Sequence, residues 1–132
     1  MKETIDTIIQ WHREAFPDET FSGQIEKFSE EEEEFREAMA LDDRKESYKL
    51  AMKELADMFI VCCGIARFDS VESMDYFNEV REGFYRMFNE YIGVNTFVDF
   101  QEALNNKMEK NRKRVWNKTG EGHYHHKNGI ED

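Results

Sequence analysis

Two short stretches place carboxylates where a helix would bury them: Ser29 to Met39, SEEEEEFREAM, and Lys53 to Phe59, KELADMF. Each holds a pair of acids spaced i, i+3, Glu31 with Glu34 and Glu54 with Asp57, which sets two carboxylates side by side on a helix surface. At about 100° per residue, Phe28, Phe35 and Met39 share one face, and Glu31 and Glu32 fall within roughly 60° of its centre. Glu34 lies at the edge of that face on Glu31's side, while Glu30 and Glu33 point well away. In the second stretch Glu54 occupies the angular gap between Met58, Val61 and Ile65, and Asp57 lies beside Val61. A charge run on a helix is usually a solvated face, and Glu33 fits that description. The inward acids do not, because an unpaired buried carboxylate is too costly to keep ionised.

Four carboxylates brought to one junction would repel one another unless they held cations. Oxygen-only ligands, with no His or Cys nearby, suit Mg²⁺ or Mn²⁺ rather than zinc. Mg²⁺ held by carboxylates commonly completes its shell with water and substrate phosphates. A di-iron carboxylate bundle would need Glu-x-x-His on two helices, and no histidine lies between His12 and His123. A third stretch, Lys107 to Trp116, KMEKNRKRVW, is basic in an otherwise acidic chain. Lys107, Asn111 and Arg114 recur at i, i+4, i+7 and so share a face. They either complement a helix C-terminus or meet an anionic ligand.

These residues need helices to position them, and the chain reads as all-α. With 132 residues one domain is expected. The composition is 36% charged and 14% aromatic, with one proline, Pro17, and a net charge of −11. Few Gly and Pro, many Glu, Lys, Met and Phe, and no alternating Val/Ile/Thr run favour an antiparallel helical bundle of about five helices. The pattern predicts helices over 3–15, 22–41, 44–68, 71–91 and 96–115. Ile5, Ile8, Ile9, His12 and Ala15 form the stripe of the first, and Phe16-Pro17 ends it. Asp43 with Glu46 is a capping pair for the third, which is apolar almost all round at its centre. Met74, Phe77, Phe84, Met87 and Phe88 mark the fourth. The fifth opens at Thr96, with Asp99 as a capping acid. From Asn117 to Asp132 no periodicity is left and irregular chain is expected; the histidines there, His123, His125 and His126, are open to adventitious metal or to substrate.

The acidic balance argues against a groove for duplex nucleic acid or an anionic membrane surface, and no apolar run of transmembrane length occurs. The start, MKETIDTIIQW, is acidic and amphipathic, unlike a signal peptide. Adjacent Cys62 and Cys63 project about 100° apart on a helix, so a disulfide between them is not expected, and a buried apolar role is. The cytoplasm is the expected compartment.

SEEEEEFREAM resembles the Glu-Glu-x-x-Glu segment of the MazG-like all-α nucleoside triphosphate pyrophosphohydrolases, and KELADMF resembles that family's Glu-x-x-Asp segment. Nineteen residues separate Glu34 from Glu54, within the family's range. KMEKNRKRVW is similar to the Lys-x3-Asn-x2-Arg-x-Trp ending of a phage and bacterial branch, which also tends to open with a Trp before Phe-Pro, as Trp11, Phe16 and Pro17 do. The resemblance covers residues 5–68 and 93–126. It implies hydrolysis of the α–β phosphoanhydride of an NTP or dNTP, with purine deoxynucleotides such as dATP and dGTP favoured. It also implies a homodimer or homotetramer. By motif matching, Glu31, Glu34, Glu54 and Asp57 would bind Mg²⁺, with Mn²⁺ as a substitute. Glu30 would orient the attacking water beside Glu31, and Lys107, Asn111, Arg114 and Trp116 would contact substrate. About two dozen residues, 69–92, depart from the family pattern as an inserted amphipathic helix whose role stays open: lid, dimer surface or base selector. Of the aromatics able to stack on a base (Trp11, Phe21, Tyr85, Trp116), each fits a core role better. The competing function is a non-enzymatic dimeric adaptor whose acidic face meets a basic partner. A third is a sensor that binds nucleotide without turnover.

Overall fold

A computed structural model describes residues 2–114 and the short segments 116–118 and 124–126. Five helices follow in order: α1 (Ile5–Ala15), α2 (Phe21–Met39), α3 (Arg44–Ala66), α4 (Ser73–Glu90) and α5 (Thr96–Lys113). Local chemistry sets their starts. Thr4 and Thr7 form a reciprocal capping box at α1, and Thr20 accepts from the Gly23 amide at α2. Asp43 accepts from the Lys45 and Glu46 amides at α3. At α5 the cap is Asn95, which accepts from the Val98 amide. Asp99 is not a capping acid: its carboxylate instead takes the Tyr48 hydroxyl at 2.5 Å.

The organising helix is α3, which packs against each of the other four. That is why its centre is apolar all round, with Leu55, Ala56, Cys62, Cys63 and Ile65 fully buried. The four-residue link after α2 makes α2 and α3 antiparallel, and Ser47 Oγ donates to the Ala38 carbonyl at 2.7 Å at their shared end. α4 also runs antiparallel to α3, with Arg44–Glu90 3.0 Å apart at one end and the Phe59 and Phe77 rings in contact further along. α5 therefore returns parallel to α3: Tyr48 meets Asp99, and nine residues on Asp57 meets Lys107.

Two cores result. Phe28, Phe35, Met39, Leu55, Met58, Cys62, Val80 and Met87 fill the space between α2, α3 and α4. Ile8, Trp11, Phe16, Ile60, Cys63, Leu104 and Met108 fill that between α1, α3 and α5. Both cysteines are free and buried, as expected. On α4 the buried stripe is Ser73, Val80, Gly83 and Met87. Met74 and Phe88, expected in it, stand 62% and 56% exposed because each lies one residue, about 100°, round from a stripe position. Tyr85 is likewise exposed rather than core, while Trp11 is buried as expected.

Gly64 of α3 lies against side chains from both α1 and α2. A Cβ there would stand 2.2 Å from Gln24 Oε1 and 2.8 Å from His12 Nε2, both on buried side chains. Arg67 holds this corner, placing Nη1 3.0 Å from His12 Nδ1 and donating to the Phe16 carbonyl at 2.7 Å. Gly64→Ala is therefore expected to destabilise the fold by about 1–3 kcal/mol despite alanine's better helix propensity. Thermal denaturation would show it, and an unchanged or raised Tm would refute the close packing.

Where irregular chain was expected from Asn117, Trp116–Lys118 (β1) pairs antiparallel with Tyr124–His126 (β2), Trp116 opposite His126. Three-residue strands are too short for a period of two to show in sequence. His123 and the side chains of His125, His126 and Trp116 lie outside the described residues. Among the described residues no helix is long and apolar enough to cross a membrane.

Candidate metal centre

The antiparallel α2/α3 pair brings the two acidic segments together, and the parallel α5 delivers a lysine to the same place. One carboxylate oxygen from each of Glu31, Glu54 and Asp57 lies within 4.8 Å of the others. The Glu31 side chain is 12% exposed and that of Asp57 21%. Two oxygens, Glu31 Oε2 and Glu54 Oε2, are buried without a hydrogen-bond partner. Acceptors in that position call for a donor that the protein does not supply: a proton, a cation or an ordered water.

The electrostatics follow from this crowding. Burial, then the Asp57 charge, pushes the Glu31 carboxyl up to about 9. Burial, then contact with Glu34 and the charge of Asp57, pushes Glu54 up to about 8. Asp57 is also raised, by burial, with Lys107 opposing. A cation bound to this group would remove both the repulsion and the need for protons. The donor set is all oxygen and half-buried, which fits a hard divalent ion.

Two lysines balance the acids. Lys107 Nζ stands 3.1 Å from Asp57 Oδ2, and Lys107 is buried. Lys27, one turn before Glu31, approaches it at 3.8 Å. Lys27 was missed at the sequence level, although its i, i+4 spacing to Glu31 was visible. Lys107→Met is expected to lower the stability of the metal-free protein by about 1–3 kcal/mol, because Asp57 loses its partner in a crowded acidic site. That loss should shrink in millimolar Mg²⁺. Equal losses with and without the ion would mean that Lys107 and a metal do not share the site.

The other expected site residues divide. Glu34 stays outside the close group: it is exposed, at the rim, within hydrogen-bonding reach of Glu54 and adding its charge to all three acids. Glu30 and Glu33 are exposed, as their phase requires, so Glu30 is not brought to the close group. Glu32 pairs with Arg36 of its own helix at 3.3 Å and faces Glu79 of α4. Asn111 is buried and accepts from Arg114 Nη1 at 3.1 Å, so the shared face of Lys107, Asn111 and Arg114 is partly built. No known protein family, curated protein or solved structure matches this chain.

Proposed function

We propose that this protein is a Mg²⁺-dependent nucleoside triphosphate pyrophosphohydrolase, releasing monophosphate and diphosphate by water attack at the α-phosphorus. The observation that carries the proposal is the Glu31–Glu54–Asp57 group with its two buried, unsatisfied oxygens. Glu31, Glu54 and Asp57 would hold the ion, and Glu34 could close over it from the rim. The ion, when bound, would neutralise phosphate charge and acidify a coordinated water. Lys107, relieved of balancing Asp57, would turn its ammonium to the phosphates, and the Asn111–Arg114 pair on the same face would add donors of fixed geometry. Glu30 has no supporting contact for a water-orienting role. The preference for purine dNTPs such as dATP and dGTP rests on the resemblance alone, as do Trp116 as a substrate contact and the cytoplasmic location. Self-association as a homodimer or homotetramer is supported by exposed apolar side chains around the α4–α5 turn, with Phe88 56%, Ile92 97% and Phe97 68% exposed.

Incubation with a panel of NTPs and dNTPs in Mg²⁺, with monophosphate and diphosphate read out by chromatography, tests the proposal. Production of both in equal amounts from at least one nucleotide, abolished by EDTA, is the expected result; no monophosphate from any nucleotide would sink it. The second reading, a non-enzymatic helical adaptor, draws on Lys107: its ion pair with Asp57 offsets part of the acidic charge with a protein group.

A further inference from the structure

A cleft of about 340 Å³ opens between α3 and α5, with Lys107 among its lining residues. Its charged lining is basic, although the chain as a whole carries −11. Lys49 and Lys53 come from successive turns of α3, and Lys107 and Lys110 from successive turns of α5. Like charges one turn apart on a helix repel, and here an i, i+4 pair on α3 faces an i, i+3 pair on α5. Among the described residues no carboxylate forms an ion pair with Lys49, Lys53 or Lys110. Two acids line the same cleft. Asp99 is engaged by the Tyr48 hydroxyl, and Glu102 is exposed. Lys49, Lys53 and Lys110 thus converge without a carboxylate ion pair, while Lys107 is held by Asp57, and a cluster of cations of this kind suits a multiply charged anion. The volume is at the small end of the range for ligand sites, roughly 300–1,000 Å³.

We propose that the α3/α5 cleft binds a diphosphate-type anion through Lys49, Lys53 and Lys110, with Lys107 at its inner end. Position gives this site a second meaning. Lys53 precedes Asp57 by one turn on α3, so the lysine row runs directly into the carboxylate group. If the proposed hydrolysis is correct, the cleft receives the β- and γ-phosphates and then the diphosphate product. That identification rests on the proposed function, whereas binding of the anion does not.

The test is titration of the full chain with inorganic diphosphate in EDTA, where the carboxylate group cannot bind it through a metal. Saturable binding, weakened by added salt, is expected. The triple substitution Lys49→Gln, Lys53→Gln, Lys110→Gln should weaken it at least tenfold while Mn²⁺ affinity, read by electron paramagnetic resonance, changes less than twofold. Lys49→Glu alone, at an exposed position, should also weaken it several-fold, so the outcome does not depend on one variant's folding. No saturable binding to the unsubstituted protein, or equal affinity in both variants, would overturn the proposal. Diphosphate binding without nucleotide turnover would remove the proposed function and leave the cleft; turnover without metal-free diphosphate binding would do the reverse.

Discussion

Replacing Glu31 with glutamine is expected to lower Mg²⁺-dependent nucleotide hydrolysis by about a thousandfold and to raise the melting temperature of the metal-free protein. The two effects have one origin. Burial and the neighbouring charges push the Glu31 carboxyl up to about 9, and one of its oxygens is buried without a donor. Folding at pH 8 therefore forces this group either to keep a proton or to sit charged among charges. An amide of the same shape removes that cost, on the order of 2 kcal/mol, and also removes an anionic ligand for the ion. Steady-state turnover and thermal melts in EDTA, on the same preparation, would check both signs. A variant that lost activity and stability together would place Glu31 among ordinary structural residues.

The stability of the metal-free protein should fall as pH rises from 6.5 to 8.0, and saturating Mg²⁺ or Mn²⁺ should flatten that slope. Glu31 and Glu54 are raised to about 9 and about 8 from an ordinary 4.5. In that window the folded chain holds protons that the unfolded chain has already shed, so each rise in pH favours unfolding. One retained proton is worth about 1.4 kcal/mol per pH unit, or roughly 4–7 °C in Tm for a chain of this size. His12 opposes this only at lower pH. Burial, then the Arg67 charge, depresses it to about 3, so below about 6.5 the unfolded chain takes up a proton that the folded chain refuses. The ion should accordingly raise Tm most at the alkaline end, by mass action on the folded form. A melting temperature in EDTA that is flat or rises over this range would show that the three acids do not share a confined site.

The helices were legible because their signals are long and redundant. Phe28, Phe35 and Met39 on α2, and Leu55 to Ile65 on α3, repeat at helical spacing over several turns, and Asp43 and Pro17 punctuate the ends. Glu31, Glu54 and Asp57 were legible for the same reason, since their phase against these apolar rows sets where they point. What phase cannot supply is depth. Glu34 has a suitable angle, but it sits one turn along α2 at the rim, and only the α2/α3 crossing decides that. The α3/α5 cleft was not read from the chain because it depends on the parallel return of α5, whereas Lys27 needs only its i, i+4 spacing to Glu31 on α2. Asp99 looked like a cap because its spacing from Thr96 allows one; Asn95, one residue earlier, took that role and freed Asp99 for Tyr48.

Neighbouring Cys62 and Cys63 face opposite cores, one toward α2 and α4, the other toward α1 and α5. Burial raises both thiols well above their usual range, so neither reacts while its surroundings stay closed. The pair is thus a built-in reporter of sub-global opening. Alkylation of Cys62 alone registers excursions of the α2/α4 half, alkylation of Cys63 alone those of the α1/α5 half, and simultaneous modification a concerted event. Mass spectrometry of briefly labelled protein would then resolve whether the bundle breathes as one cooperative unit or as two halves hinged on α3.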